Sequence, residues 1–390
     1  MIKKVTIEKI YWFLLIVILG IWGVVNMLRM EQGGLITTET TAQKLLLGVL
    51  VVLLLTYIFI NYRYIHINKI GIYLGILCTY MAIARIVTLP YNANMLSYFY
   101  QPMLGMVGFI LYIGVIAMAN KSHELHTFGA TWIVFGMLLI AYFYVQNRQY
   151  MNEIAVSHMG SAYWALFLLP VLLYSPKKWL RYAGFAIVGA MLFSSFKRGG
   201  ILAFGIGIFV FLIVKEFLLG HSFKKIIYFI VALVALIIIF YLVDNALDNV
   251  FTERFLNIKD DGGSNRDQVW ATTWQMIQQS DFAHLLFGHG FNTVLQNSPL
   301  GLSAHNDFLE SLYDFGICGS VFYILLHISL IKQVIRNIRL QNPDAAIMAF
   351  TYTFFFILSM ISHVLIYPWF AFMGLSWGFG SASEQKALAL

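Results

Sequence analysis

Three groups of side chains in the second half of this sequence could act together on an anionic substrate. The first group is Lys197 and Arg198, which Gly199 and Gly200 follow directly in the segment SFKRGG. Glycines allow a close backbone approach, and an arginine beside them suits a phosphate or diphosphate. The alternative is that both cationic side chains simply reach lipid head groups.

Arg266 is the second candidate for binding an anion. It follows a glycine pair in GGSNRDQVW and would lie in the first turn of a helix that Ser264 and Asp267 cap loosely. Free backbone N–H groups in a first helical turn favour an anion, whereas a cation there is usually disfavoured. The alternative is a solvated arginine on a surface helix, and the adjacent Asp267 could pair with it and reduce its charge.

The third group surrounds His305 in SAHNDFLESLYDFGICG, where we expect Ser303 to cap a helix that starts near the histidine. Histidine ordinarily titrates near neutral pH, so His305 at the mouth of a membrane cavity would suit a general base. Asn306, Asp307 and Glu310 are nearby polar groups that would orient it. The alternative is an ordinary interfacial histidine at a helix start.

Arg85 is a further candidate because it lies inside an apolar segment, near its end, with no partner that the sequence identifies. His284 and His289 lack the spacing of metal ligands, and the glycines that flank His289 indicate a tight structural turn. The short loops on the predicted cytoplasmic side contain no Gly-rich phosphate loop. We therefore expect neither a metal nor another cofactor.

Membrane-spanning helices must position these residues. The chain of 390 residues is 60% hydrophobic and only 11% charged, and its apolar runs are long enough to cross ~30 Å of hydrocarbon. We therefore predict an all-α polytopic integral membrane protein. Twelve spans are expected near residues 11–28, 44–61, 70–89, 101–119, 128–146, 161–174, 179–196, 200–218, 226–243, 306–331, 346–362 and 365–381.

The spans divide the chain around one long polar segment. Residues 1–243 would hold the first nine spans, residues 244–305 an extracytoplasmic loop subdomain, and residues 306–390 the last three spans with a cytoplasmic tail. With the N-terminus inside, 16 lysines and arginines fall on the inner side and 8 on the outer side. Lysine and arginine favour cytoplasmic loops, so we predict that both termini are cytoplasmic and that Arg198, Arg266 and His305 share the outer face. The net charge of +7 reflects this bias and does not indicate nucleic-acid binding.

The segment HNDFLESLYDFGICG fits a pattern of histidine, a polar residue, nine residues, glycine, two residues and glycine. In this it resembles bacterial O-antigen ligases and O-antigen and capsule polymerases of the Wzy type. NRDQVW resembles the arginine of that superfamily's outer loop, and FKRGG resembles its arginine turn after a middle span. The resemblance covers about 200 residues, from Arg198 onward.

This resemblance implies a GT-C-like glycosyltransferase of the bacterial inner membrane, with an active site that faces the periplasm. Its donor would be a glycan on undecaprenyl diphosphate. Arg198 and Arg266 would hold the diphosphate, Lys197 could share that role, and His305 would activate an acceptor hydroxyl for attack with inversion. Membrane lipids and a chain-length regulator are candidate partners, and no nucleotide or metal is implied.

Three hypotheses remain open. A polymerase would join lipid-linked repeat units, whereas a ligase would transfer the glycan to lipid A–core. We favour the polymerase because the outer loop is modest and the motif looks closer to that branch. A lipid-linked glycan flippase or transporter would suit twelve spans, but we find no inverted repeat of broken helices.

Overall fold

Helices are the only regular secondary structure in the part of the chain that this computed structural model describes. That part comprises residues 2–31, 40–91, 93–151, 161–195, 198–220 and 262–389, together with Ile227, Tyr241 and Asn245. The helices are α1 (Ile2–Glu31), α2 (Thr41–Ile60), α3 (Lys69–Val87), α4 (Met95–Met151), α5 (Ser161–Leu173), α6 (Lys178–Ser194), α7 (Arg198–Leu212), α8 (Gly262–Gln278), α9 (Phe282–Phe287), α10 (Thr293–Asn297), α11 (Asp307–Arg339), α12 (Ala345–Ile361) and α13 (Phe370–Ala389). The predicted all-α class is confirmed.

Six of these helices are long and apolar enough to cross a membrane, counted over the described ranges. The candidate spans are Ile10–Met27, Thr41–Ile60, Lys69–Val87, Met95–Lys121, Arg198–Glu216 and Asp307–Arg339. Shorter apolar helices coincide with three more predicted spans, at Val134–Phe143, Ala162–Leu173 and Ala345–Ile361. Of the predicted span at 226–243, only Ile227 and Tyr241 are among the described residues. The chain is therefore a multi-pass membrane protein, and the number twelve stays a prediction.

The two spans predicted at 101–119 and 128–146 fall within the single helical segment α4, and the expected turn between them lies inside this segment. A straight helix would separate Gly108 from Met137 by about 43 Å. Yet a side chain added at Gly108 would meet Ala371, and Gly23 lies against both Met137 and Phe372. Since residues 371 and 372 are adjacent, α4 cannot be straight and must turn back on itself between these contacts.

The last helix, α13, lies at the centre of the described bundle, and every residue from 370 to 384 in it is buried. Its Gly374 and Gly378 face α4. A Cβ atom at Gly374 would come within 2.0 Å of the Gly108 oxygen, and one at Gly378 within 2.9 Å of the Tyr112 oxygen. Two small residues four apart thus allow close backbone packing, as is common between membrane helices. The helix starts at Phe370, five residues after the predicted start of the span.

Helix α11 is broken at Gly316, which has φ 64° and ψ −171°. This conformation is essentially restricted to glycine. A Cβ atom here would also lie 2.5 Å from the Leu286 oxygen and 2.5 Å from the Gly288 nitrogen. The sequence predicts that Gly316 and Gly319 let another helix approach. Gly316 accommodates the end of α9 and the residue after it, and Gly319 lies beside the Tyr80 ring of α3.

The break frees backbone carbonyl groups, and the loop around His289 satisfies them. The His289 N–H donates to the Tyr313 oxygen at 3.0 Å, and the Gly290 N–H donates to the Asp314 oxygen at 2.9 Å. The Asp314 carboxylate in turn accepts two hydrogen bonds from Thr293, the first residue of α10. The Thr293 backbone N–H donates at 3.0 Å and its hydroxyl at 2.8 Å. The loop around His289 is therefore structural, as its flanking glycines indicate.

The predicted boundary at residue 305 divides a packed unit. Ile277, Val294, Ala304 and Tyr313 form a small hydrophobic cluster separate from the main core. Helices α8 to α10 thus pack on the first part of α11, so the described part of the predicted loop subdomain and the start of the next helix share one core. Residues 246–261 of that subdomain lie outside the described residues.

Candidate active site

The helix of the segment that carries His305 starts at Asp307, two residues after the histidine. We expect Ser303 to be the cap, but the cap is Asn306, whose Oδ1 accepts hydrogen bonds from Phe308 N (3.0 Å) and Leu309 N (3.2 Å). Asparagine caps helices as well as serine does, and the Ser303 hydroxyl contacts a histidine instead. His305 therefore precedes α11, with φ 52°, and does not share a helical face with Leu309.

Contacts of its neighbours hold the left-handed backbone of His305. The Ala304 N–H donates to Glu310 Oε1 at 2.9 Å, and Asn306 Nδ2 donates to the Met360 oxygen at 3.2 Å. A positive φ is uncommon outside glycine and persists only where the surroundings fix it. The predicted supporting residues Asn306 and Glu310 thus fix the backbone on both sides of the histidine.

Asp307 fastens the same segment to the loop at residues 362–369, which joins α12 to α13. Its fully buried carboxylate accepts hydrogen bonds from Val364 N at 2.9 Å, Leu365 N at 3.4 Å and the Tyr323 hydroxyl at 3.2 Å. Because these contacts occupy it, Asp307 supports the site from within the protein and is not displayed to a substrate.

His363, in that loop, lies directly beside His305. The two ring centroids are 4.1 Å apart, with an angle of 40° between the rings. His363 Nδ1 is 3.1 Å from Glu310 Oε2, and its Nε2 is 3.3 Å from Ser303 Oγ. Burial, with a smaller contribution from the charge of Arg266, lowers the pKa of His363 to about 3. The imidazole is therefore uncharged at neutral pH, and its contact with Glu310 is a hydrogen bond rather than an ion pair.

Arg266 lies in the first part of α8, near the histidine pair. One turn further along, the Trp270 indole N–H donates to the Ala304 oxygen at 2.8 Å, which ties α8 to the residue before His305. The Arg266 charge acts on both the His363 ring and the Tyr163 hydroxyl. The structure thus brings Arg266 and His305, 39 positions apart in the chain, to the same end of the bundle.

Arg198 is the first residue of α7 and is half-buried. A Cβ atom at the next residue, Gly199, would lie 3.1 Å from the Tyr163 hydroxyl and 2.8 Å from Ile361 Cδ1. The backbone that carries Arg198 therefore packs against Tyr163, the same side chain on which Arg266 acts. Lys197 lies outside the described residues.

Arg85 has partners that the sequence does not reveal, and they lie beneath the site. The guanidinium group is buried, Nη1 donates to Gln101 Oε1 at 2.8 Å, and Nη2 lies 3.5 Å from the Ile366 oxygen. The guanidinium group also lies over the ring of Phe291, with Arg85 Cζ 3.5 Å from the ring centroid. Arg85 thus connects α3 and α4 to the loop that carries His363, which fits a supporting role.

The sequence did not predict two of the side chains at this site, Tyr163 and His363. Tyr163 lies in an apolar helix and resembles any core tyrosine, so only the return of α7 against it reveals its position. His363 follows the predicted span 346–362 directly, and a histidine between two apolar spans is a signal that could have been followed. Within the described ranges, no three His, Cys, Asp or Glu side chains are grouped as metal ligands.

The site combines what transfer from an anionic leaving group requires. It contains the Arg266 cation, the Tyr163 hydroxyl and the imidazoles of His305 and His363. The first turn of α7 packs against the Tyr163 hydroxyl. Such a set can bind an anion, stabilise charge on it and accept a proton from a nearby hydroxyl group. The fold and site thus define a multi-pass membrane protein with a polar site at one end of its helices.

Comparison with known proteins agrees with this class. Residues 183–324 match the family described as Wzy_C, O-antigen ligase. The match confirms the resemblance to the superfamily of O-antigen ligases and polymerases and supports a function of that type for this chain. The matched region contains Arg198, Arg266 and His305, whereas Tyr163 and His363 lie outside it. No curated protein matches the chain.

Proposed function

We propose that this protein is a membrane glycosyltransferase that transfers a glycan from a lipid diphosphate to a hydroxyl acceptor. The placement of Arg266 supports this proposal, because its charge acts on His363 while the His363 ring contacts His305. A cation that could hold a diphosphate and an imidazole that could activate a hydroxyl therefore lie in one site. The match to the O-antigen ligase family supports the same reaction class.

In this mechanism, Arg198 and Arg266 bind the diphosphate of the donor. The acceptor oxygen attacks the anomeric carbon while its proton moves to a His305 ring nitrogen. The bond from the anomeric carbon to the diphosphate oxygen breaks, and the lipid diphosphate leaves with the electron pair. Attack opposite the leaving group inverts the configuration. The arginines stabilise the negative charge that develops on the leaving diphosphate.

The donor in this proposal is a repeat unit on undecaprenyl diphosphate, and the acceptor is a second lipid-linked unit, which makes the protein a polymerase. The description of the matched family favours a second candidate, a ligase whose acceptor is lipid A–core. Both candidates use the same donor site and the same base, and they differ only in the acceptor. In both, the site faces the periplasm.

Reconstitution of the purified protein with a lipid-diphosphate-linked repeat unit tests the proposal. A polymerase forms a ladder of longer lipid-linked products from this substrate alone. A ligase forms no ladder but transfers the glycan once lipid A–core is added. Wild-type protein that forms no product under either condition, in vesicles where the donor is accessible, would contradict the transferase proposal.

A further inference from the structure

We propose that His363 is a positioning residue that holds the His305 ring toward the anion-binding arginines, an inference that rests on the proposed transfer reaction. His363 lies 58 positions after His305 in the chain and outside the region matched by the family. The loop after α12 brings it to the site. Its function would be to fix the direction of the base without touching the substrate.

The exposure of the two histidines separates their roles. His363 is 5% exposed, whereas His305 is half-buried. A substrate hydroxyl can therefore approach His305 but not His363. The ring contact at 4.1 Å makes His363 one wall of the space in which the His305 ring lies.

Hydrogen bonds hold the ring of His363 at both of its nitrogens. Nδ1 lies 3.1 Å from Glu310 Oε2, and Nε2 lies 3.3 Å from Ser303 Oγ. Glu310 also accepts the backbone N–H of Ala304 at 2.9 Å. One carboxylate thus fixes both the peptide before His305 and the ring beside His305, so the base cannot shift without breaking a buried hydrogen bond.

The charge state of His363 fits this role. At neutral pH the buried ring is uncharged, so it supports His305 without placing a second cation beside it. A cation there would make proton uptake by His305 less favourable. Orientation of a reacting group matters because a displacement of about 1 Å can lower a rate about 100-fold.

Three substitutions of His363 test the proposal by transfer assays and donor binding. H363A removes the ring and should lower kcat about tenfold or more while the donor Kd stays within about twofold, because the arginines hold the diphosphate. H363F restores a flat ring surface and should recover most of the rate lost in H363A. H363N keeps a donor for Glu310 but no ring, so it should not recover the rate.

The opposite pattern would overturn the proposal. An unchanged rate in H363A, or rescue by H363N but not by H363F, would show that the ring does not position the base. A loss that disappears once rates are normalised to correctly folded protein would assign His363 a structural role only. Wild-type protein without any transfer activity would instead contradict the proposed function, which is a separate outcome.

A second measurement does not depend on activity. Diethyl pyrocarbonate modifies accessible, unprotonated histidines, and peptide mass spectrometry reports each site. In H363A the modification rate of His305 should change at least about threefold, whereas the exposed His284 in α9 should keep its rate. An unchanged rate at His305 would mean that the ring contact does not control this side chain.

Discussion

The residues on either side of His305 fix its backbone and leave its imidazole half-buried. Ala304, Asn306 and Asp307 use their backbone or side-chain groups to bind Glu310 and the end of α12 with its following loop. The imidazole itself stays half-buried on a backbone in the left-handed region. Such local strain is typical of functional positions, where surrounding contacts stabilise a conformation that the chain would otherwise avoid.

Replacing this histidine tests its assignment as the base. H305A should lower kcat for transfer at least about 100-fold, the usual contribution of a general base, and leave the donor Kd within about twofold. The matched control is H284A, because His284 is exposed and lies in α9, outside the site. Steady-state rates and donor binding of both variants provide the measurement. Normal product lengths and rates with H305A would remove the base assignment.

The arginines should affect the donor rather than the proton transfer. R266A should weaken donor binding by about 1.5–3 kcal/mol, the range for a hydrogen bond to a charged group, and R266K should restore only part of it because lysine lacks the planar fork. R198A should act in the same direction. R339A, which removes an exposed charge at the end of α11 remote from Gly316, is the control. Calorimetric donor affinities equal to wild type in both R266A and R198A would exclude the diphosphate role.

At the scale of residues, polar side chains in an apolar sequence predict candidates for the site. Arg198, Arg266 and His305 are such candidates because arginines beside glycines and a histidine in a polar segment are unusual in an apolar chain, and their roles stay predictions. Tyr163 and His363 were missed because their neighbours are apolar and their importance depends on contacts between distant helices. Ser303 was predicted to cap the helix, and this is wrong because Asn306 is the cap. Both residue types cap helices well, so residue types alone do not decide between them.

At the scale of elements, the break in α11 determines where the site can form. The break leaves a short first part of the helix, which carries Asp307 and Glu310, and a longer second part. The loop between α9 and α10 closes the break by donating to the Tyr313 and Asp314 carbonyl groups. The orientation of the first part therefore depends on Gly316 and on the loop that packs against it.

Replacing Gly316 should disturb both stability and transfer. G316A forces a non-glycine residue into a glycine-only conformation and places a Cβ atom 2.5 Å from the Leu286 oxygen. The strain alone costs about 1–3 kcal/mol, so the midpoint of thermal unfolding should fall and the transfer rate should fall with it. G205A is the matched control, since a Cβ atom at this helical position in α7 meets nothing within 4 Å and alanine favours a helix. Equal unfolding midpoints for G316A and wild type would show that α11 tolerates a continuous helix.

Hydrophobic runs predicted the existence of most helices, but not their bends. The span at 306–331 begins where expected, yet nothing in its apolar pattern distinguishes a break at Gly316 from a glycine that receives another helix. In α4 the contacts of Gly23 and Gly108 show that the chain turns between the two predicted spans, although the segment is helical throughout. Hydropathy reports burial in lipid, whereas a bend depends on packing between distant parts of the chain.

At the scale of the whole molecule, stability should depend on pH through its buried imidazoles. Burial lowers the pKa of His363 to about 3 and also lowers the pKa of His289. At each of these two positions the unfolded chain therefore binds more protons below pH 6.5 than the folded protein, so these two histidines by themselves lower the free energy of unfolding as the pH falls. His363 alone accounts for up to about 2 kcal/mol between pH 6.5 and pH 5.

Thermal unfolding in detergent at several pH values measures this effect. The contribution of His363 is the difference between two proteins: as the pH falls from 7.5 to 5, the midpoint of wild-type protein should decrease relative to that of H363F, which has no group to protonate at that position. H66A, which changes an exposed histidine, should follow the wild-type slope. Parallel slopes for H363F and wild type would show that His363 does not titrate with unfolding.

The orientation of the molecule links the site to its substrate, because a periplasmic donor can reach only an outward-facing site. Lys332, Arg336 and Arg339 lie in the last turns of α11, at the opposite end of that helix from His305, and the positive-inside rule places such clusters in the cytoplasm. In a background without Cys78 and Cys318, a single cysteine at the exposed Gln296 should react with a membrane-impermeant maleimide in intact spheroplasts, whereas Arg339→Cys should react only after lysis. Labelling of both before lysis would point to leakage, and the reverse pattern would place His305 in the cytoplasm and exclude a periplasmic donor.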